Sequence, residues 1–277
     1  TGVQIPVGAC GAVTTRRGFF LSPDAPTHGS GWALQLIFPV SCYPLLMPAT
    51  QDAGSALVGK ALALQDEAAT RLHSQRDDWN ERALNLAVRR AVIGQIYDRL
   101  RRTRDTSPLT LGHVYDALLD RTVRLSRRGA MTIEANANHR KATGVYYTPP
   151  AIIDHLINAA MTPLLRDAND GTTITLLDPA CGTGWFLLSA IDRFKTWNQT
   201  NNEGKRPKAL KLHLIGADID PVAVHVARLS LTLANNQPQF GGSPGLPITF
   251  EVISGDSLLG PEAADDGIDC PASFQPS

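Results

Sequence analysis

The stretch Thr173-Ile174-Thr175-Leu176-Leu177-Asp178-Pro179-Ala180-Cys181-Gly182-Thr183-Gly184-Trp185 decides the fold. Thr173–Leu177 is a short run of aliphatic and β-branched residues and reads as a buried strand. The two glycines then turn the chain, and Trp185–Phe194 reads as a helix with Leu187, Ala190, Ile191 and Phe194 inward. The same unit follows again: Leu210–Ala217 is the next predicted strand, Pro221–Ala234 the next helix and Ile248–Ser254 a third strand. Strands alternating with helices pair in parallel through right-handed crossovers, which predicts a doubly wound α/β sheet. Ligands of such sheets bind outside the carboxyl ends of the strands, so the residues just after each strand carry the chemical question.

After the first strand, Gly182 and Gly184 let the backbone turn tightly and let a ligand lie against bare main chain. An ordinary glycine-rich turn would read the same way. The dinucleotide pattern G-x-G-x-x-G fails because Leu187 stands where its third glycine belongs, and G-x-x-x-x-G-K-[ST] is absent. Asp178 aims a carboxylate into the loop, which would repel a pyrophosphate and suits a cation. After the second strand comes Gly216-Ala217-Asp218-Ile219-Asp220-Pro221. Asp220 reads as the cap of the helix opening at Pro221, leaving Asp218 for the ligand, where a carboxylate can accept from both hydroxyls of a ribose. After the third strand, Gly255-Asp256-Ser257-Leu258-Leu259 offers Asp256 to an exocyclic amine, while Leu258 and Ile219 could cover the two faces of an adenine. Together the three strand ends describe a nucleoside carrying an amino-acid-like cation.

The ordered set GVYYTPP at 144–150, DPACGTG at 178–184, GADIDP at 216–221 and GDSLL at 255–259 resembles the S-adenosylmethionine-dependent adenine-N6 DNA methyltransferases. Among them it is similar to the large restriction–modification and phage-defence type, as is the upstream segment LGHVYDALL at 111–119; the likeness covers about residues 75–260. It implies a Rossmann-like class I methyltransferase sheet, incomplete at the C-terminus, preceded by a mostly helical N-terminal region. It also implies S-adenosylmethionine as cofactor and the cofactor-binding residues Tyr147, Thr148, Asp178, Ala180, Gly182, Gly184, Asp218, Ile219, Asp256 and Leu258. Thr148 would meet the methionine carboxylate at a helix N-terminus, where the dipole favours an anion. Asp178 would hold the ammonium, Ala180 and the two glycines would supply close backbone, Asp218 would bind the ribose, Ile219 would lie on the adenine and Asp256 would take its 6-amino group. The implied partners are double-stranded DNA and an endonuclease or specificity domain on the same or another chain, with no membrane and no metal.

The family's catalytic Asn/Asp/Ser-Pro-Pro-aromatic tetrapeptide, which aligns the adenine amine and stacks on the flipped base, is not in this sequence. Pro149-Pro150 is preceded by Thr148 and followed by Ala151, and only 21 residues follow Asp256. No catalytic residue is therefore assigned. The expectation is a chain truncated before its fourth strand, inactive alone, with an unpaired sheet edge. The competing reading is a non-catalytic module that binds the cofactor and DNA.

Outside this region the sequence divides by charge. Lys plus Arg and Asp plus Glu both total 26 in the 277 residues, yet residues 1–70, 71–141 and 142–277 carry −1, +7 and −6. A basic middle beside an acidic C-terminal part suits a polyanion at the first and another ligand at the second, although a solvated arginine-rich surface would look the same. Residues 1–50 read as an irregular segment punctuated by Gly and Pro, 51–141 as a helical, basic region and 142–277 as the S-adenosylmethionine-binding domain. Within 51–141 a helical pattern from Ser55 to about Arg104 places Leu86, Ile93, Tyr97 and Leu100 on one face and Arg89, Arg90, Arg99, Arg101, Arg102 and Arg104 largely off it. A second helix carries Leu111, Val114, Tyr115, Leu118 and Leu119. Arg121–Arg140 reads as a polar linker, and Thr148 as the cap of a helix opening at Pro149. The cysteines Cys10, Cys42, Cys181 and Cys270 form no C-x-x-C pair, which fits a cytoplasmic chain without zinc or disulfides. Trp32–Ala49 is apolar but interrupted by Pro39, Pro44 and Pro48, a poor fit to a membrane span or signal peptide.

Overall fold

The computed structural model describes the backbone of 32–35 and residues 53–76, 78–103, 107–136, 148–201, 209–236 and 247–258. The elements are β1 (Trp32–Gln35), α1 (Ala53–Gln75), α2 (Glu81–Leu100), α3 (Thr110–Leu119), β2 (Arg121–Leu125), β3 (Met131–Ala135), α4 (Pro150–Asp167), β4 (Thr173–Asp178), α5 (Trp185–Asn201), β5 (Lys211–Asp218), α6 (Pro221–Asn236) and β6 (Ile248–Ser254). The described residues all fall within one compact unit.

Strands β1, β4, β5 and β6 form a parallel sheet in the order β1-β4-β5-β6. Alternation along β4 buries Ile174, Leu176 and Asp178, and β5 buries Leu212, Leu214, Gly216 and Ala217. Against them pack Leu187, Ala190, Ile191 and Phe194 of α5, Ile153, Ile157, Met161 and Leu165 of α4, and Val224, Ala227 and Leu231 of α6. The opposite side of α6, with Val222, Ala223, Val226, Leu229 and Leu233, belongs to a second core shared with α1, α2 and α3. A helix apolar around most of its circumference must be enclosed on both sides. Helix α6 is therefore the wall common to the sheet and the helical layer.

Five local expectations are corrected. The stretch Ser55 to Arg104 is not one helix: α1 ends at Gln75, an exposed Arg76–Asp78 ion pair of 2.8 Å marks the break, and Asn80 Oδ1 restarts the chain by accepting from Ala83 N–H at 2.8 Å. Arg89, expected at the surface, is buried. The region 121–140 is not all linker, because 121–135 is an antiparallel hairpin with Val123 opposite Ile133. Its polar residues are the solvent face, and its free strand is paired by side chains. The amide of Asn85 donates to Val123 C=O at 2.8 Å and accepts from Val123 N–H at 2.9 Å, while Glu81 accepts from Leu125 N–H at 2.8 Å. Local sequence carries no mark of that long-range pairing. Residues 32–35, expected to be irregular, form β1 beside β4, in register from Trp32 opposite Ile174 to Gln35 opposite Leu177. The outer side of β4 is thus paired with β1, and four residues are too few to show a strand period. Finally, α4 opens at Pro150 with Pro149 at the capping position and no side-chain cap, so Thr148 stands one residue outside. With Thr148 as the cap, the first two helical positions would both be prolines, which have no N–H, leaving only Ala151 to donate to its side chain.

Candidate functional site

Parallel register brings the three strand ends to one edge of the sheet. Asp178, last in β4, lies opposite Gly216, and Asp218, last in β5, lies opposite Ser254, last in β6. Asp256 follows two residues later. The loops are bonded to each other: Cys181 N–H donates to Ala217 C=O and Gly255 N–H to Asp218 C=O, both at 2.9 Å. Ser257 Oγ donates to Pro179 C=O. The turn itself needs its glycines, since Gly182 and Gly184 hold φ of +53° and +86°, a region costly for residues with a Cβ. At Gly182 a Cβ would meet nothing within 4 Å, so open space lies over that backbone; at Gly184 it would stand 3.2 Å from Ala227 Cβ.

Asp178 is only 2% exposed. One carboxylate oxygen accepts from Ala180 N–H at 3.2 Å, and the other, although buried, meets no hydrogen-bond donor among the described residues. Burial pushes the carboxyl up to about 6, helped by the neighbouring Asp218 charge and opposed by the Ala180 hydrogen bond. A buried oxygen short of a donor costs free energy until a donor or cation arrives. Asp218 is held differently, accepting from Gly182 N–H at 2.8 Å and Asp220 N–H at 2.9 Å through separate oxygens. Burial raises its carboxyl as well, against those backbone hydrogen bonds. The two amides fix the rotamer, and each oxygen keeps a lone pair for a ligand hydroxyl. Asp220 caps α6 as its spacing predicts, accepting from Val222 N–H at 2.7 Å.

Two large apolar side chains stand in water beside these acids, Ile219 at 69% and Leu258 at 87% exposed. Asp256 accepts from Leu258 N–H at 2.8 Å, fixing the short turn that carries Leu258. Ile152, in the first turn of α4, is also exposed. Tyr147 lies outside the described residues, as does the rest of the 137–147 segment. Among the described residues no group of three His, Cys, Asp or Glu side chains is placed to hold a metal ion, and no helix is long and apolar enough to cross a membrane. Cys181, beside the turn, is buried, and its thiol is pushed up by that burial and by Asp178 and Asp218.

Residues that strand-end reasoning does not reach complete the surroundings, and they come from the helical layer. Tyr115 on α3 donates its hydroxyl to Asp220. A Cβ at Gly112 would lie 2.8 Å from Trp185 Nε1 and 3.1 Å from Thr183 Oγ1, so α3 presses its backbone against the glycine turn. The His113 ring meets Trp185 edge-on at 5.3 Å and 86°. Buried Arg89 senses both Tyr115 and Asp220, which favour its charge, though burial lowers its pKa overall. The sequence signal for this junction is a glycine and a tyrosine among the Leu and Val residues of the buried face of α3.

Sheet order, crossovers and strand-end acids define a Rossmann-like domain of the class I methyltransferase kind. The family model described as N-6 DNA Methylase matches residues 129–269, and the chain belongs to that family, whose cofactor is S-adenosylmethionine. The adenine-specific methyltransferase PglX of Streptomyces coelicolor is 31% identical over 99 residues, which are 34% of this chain and 8% of that protein. The type I restriction enzyme MjaIX methylase subunit of Methanocaldococcus jannaschii is 29% identical over 93 residues, 34% of this chain and 14% of that one. The chain thus matches only a small part of the length of these curated relatives. A Listeria monocytogenes crystal structure, described provisionally as a class I S-adenosylmethionine-dependent methyltransferase, aligns at 15% identity over 73% of this chain and 54% of that one; its TM-score of 0.34 adds nothing to the argument.

Proposed function

We propose that residues 142–277 bind S-adenosylmethionine as part of an adenine-N6 DNA methyltransferase of the restriction–modification or defence type. The basic helical region 51–141 would face the DNA. The observation that carries the reading is Asp178, a buried carboxylate with one oxygen short of a donor, beside a bare glycine turn. A primary ammonium supplies both the missing donor and the missing charge. A phosphate chain would worsen both.

The remaining roles follow from position. Asp218, rigidly held, accepts from the ribose hydroxyls. The exposed faces of Ile219 and Leu258 become buried on an adenine ring, and Asp256 takes the 6-amino group. Ala180, Gly182 and Gly184 line the path with backbone. Thr148 and Tyr147 precede α4, whose uncapped first turn suits the methionine carboxylate. When bound, the cofactor supplies a sulfonium methyl open to nucleophilic attack. The chain's own contribution is to hold the donor and shield its charge. Both relatives are named as methyltransferases or methylase subunits, one adenine-specific and one of a type I restriction enzyme, which supports a DNA base as acceptor and an assembly with other subunits.

Calorimetric titration tests the reading. S-adenosylmethionine should bind while NAD and ATP do not, and Asp218→Ala should weaken binding by about 1–3 kcal/mol, the range for a lost buried hydrogen-bond partner. Equal affinity in Asp218→Ala would reduce Asp218 to a loop-holding residue.

A further inference from the structure

Helix α3 touches both loops that flank the cofactor site. Toward the β4 loop, Gly112 stands so close that a Cβ would sit within 2.8 Å of Trp185 Nε1, and the His113 ring abuts the same indole. Toward the β5 loop, the Tyr115 hydroxyl donates to Asp220 Oδ2. The other oxygen of Asp220 caps α6 through Val222 and Ala223, and its N–H donates to Asp218 Oδ1 at 2.9 Å. Asp218 Oδ2 then accepts from Gly182 N–H at 2.8 Å, which closes the path back to the glycine turn. The ring runs from α3 to Asp220, to Asp218 and to Gly182 by hydrogen bonds, along the chain itself from Gly182 to Trp185, and back to α3 by packing.

We propose that Tyr115 is a positioning residue for the ribose site: by fixing Asp220 it sets the orientation of Asp218, so the helical layer acts on cofactor affinity without touching the cofactor. The inference rests on the cofactor reading above. Three features of the ring make Tyr115 its adjustable member. Among the described residues the Asp218 carboxylate accepts from backbone amides, so its direction is that of the Asp218–Asp220 loop. That loop is secured at its far end by Asp220. Asp220 has one oxygen spent on the α6 cap and the other on Tyr115, and only the second can be lost without uncapping the helix.

The experiment is a double-mutant cycle on the full chain, read by calorimetry with S-adenosylhomocysteine and with its 2′-deoxy counterpart. Tyr115→Phe keeps the packed ring and removes the hydroxyl. It should weaken S-adenosylhomocysteine binding about tenfold, the scale of one hydrogen bond to a charged acceptor. The loss should shrink for the 2′-deoxy ligand and vanish in an Asp218→Ala background. A purely structural defect would instead weaken both ligands alike and add fully to Asp218→Ala. Asp220→Ser, which keeps one oxygen for the cap and offers Tyr115 no second polar atom, should mimic Tyr115→Phe and serves if that variant does not fold. Wild-type affinity in both variants overturns the proposal and leaves the cofactor reading intact. Failure of the unaltered chain to bind S-adenosylhomocysteine or S-adenosylmethionine overturns both.

Discussion

Replacing Asp178 by Asn should make the protein more stable near neutral pH while removing its affinity for the cofactor. In the folded chain the carboxyl titrates at about 6, against 3.8 for the unperturbed group. The folded state therefore binds the proton more tightly than the unfolded state. The stability tied to that proton is complete below 3.8 and is lost as pH rises through 6. A gap of roughly two pH units at ~1.4 kcal/mol each amounts to about 3 kcal/mol. Asn keeps an oxygen for Ala180 N–H and carries no charge at any pH. Its amide, however, stands where Asp178 Oδ2 has no hydrogen-bond partner among the described residues, at a cost of about 1 kcal/mol. The net expectation is a gain of about 1–2 kcal/mol at pH near 8 and none or a small loss near pH 4. Urea unfolding across that range measures it. His225 acts with the opposite sign over nearly the same window, so the difference between variant and wild type, not either curve alone, isolates Asp178. A constant difference across the range would show that Asp178 does not titrate there, and the argument for a buried cation-seeking carboxylate would fall. Because the ammonium needs the ionised form, cofactor affinity in the wild type should also decline as pH drops below about 6, and Asp178→Asn should show neither the affinity nor the decline.

Burial, with Arg90 and Arg228 nearby, lowers the His225 imidazole to about 4 from 6.5. Its contribution is thus present above 6.5 and lost as pH falls toward 4. His225→Gln should flatten the acid limb of the unfolding profile, and an unchanged limb would count against a buried neutral imidazole. Asn85→Ala removes the partner of both backbone groups of Val123 and should cost about 2–4 kcal/mol in denaturant unfolding, with Asn85→Asp recovering only the half that accepts. A cost under about 0.5 kcal/mol would mean that water replaces the amide at the hairpin edge.

The sequence by itself determined the sheet and the placing of its acids. Runs such as Thr173–Leu177 and Ile248–Ser254, each followed by a turn and, for the first two strands, a capped or glycine-opened helix, dictate parallel βαβ units, and chain direction then puts Asp178, Asp218 and Asp256 at one edge. The Asp220 cap was equally legible because it is an interaction over two residues. Tertiary structure alone decided what depends on distant partners. Arg89 looks like a surface arginine on its own helix, and only the approach of α3 and the α6 cap encloses it beside Tyr115 and Asp220. The 121–135 hairpin reads as polar because its ordering hydrogen bonds come from Asn85 and Glu81 about forty residues away. Strand β1 has no period long enough to read, and its place is set by the backbone groups that β4 offers. Local pattern reports the interactions a residue makes with its own turn or strand. The coupling of the helical layer to the strand-end loops is made across 105 residues, from Tyr115 to Asp220, and only folding brings those two side chains together.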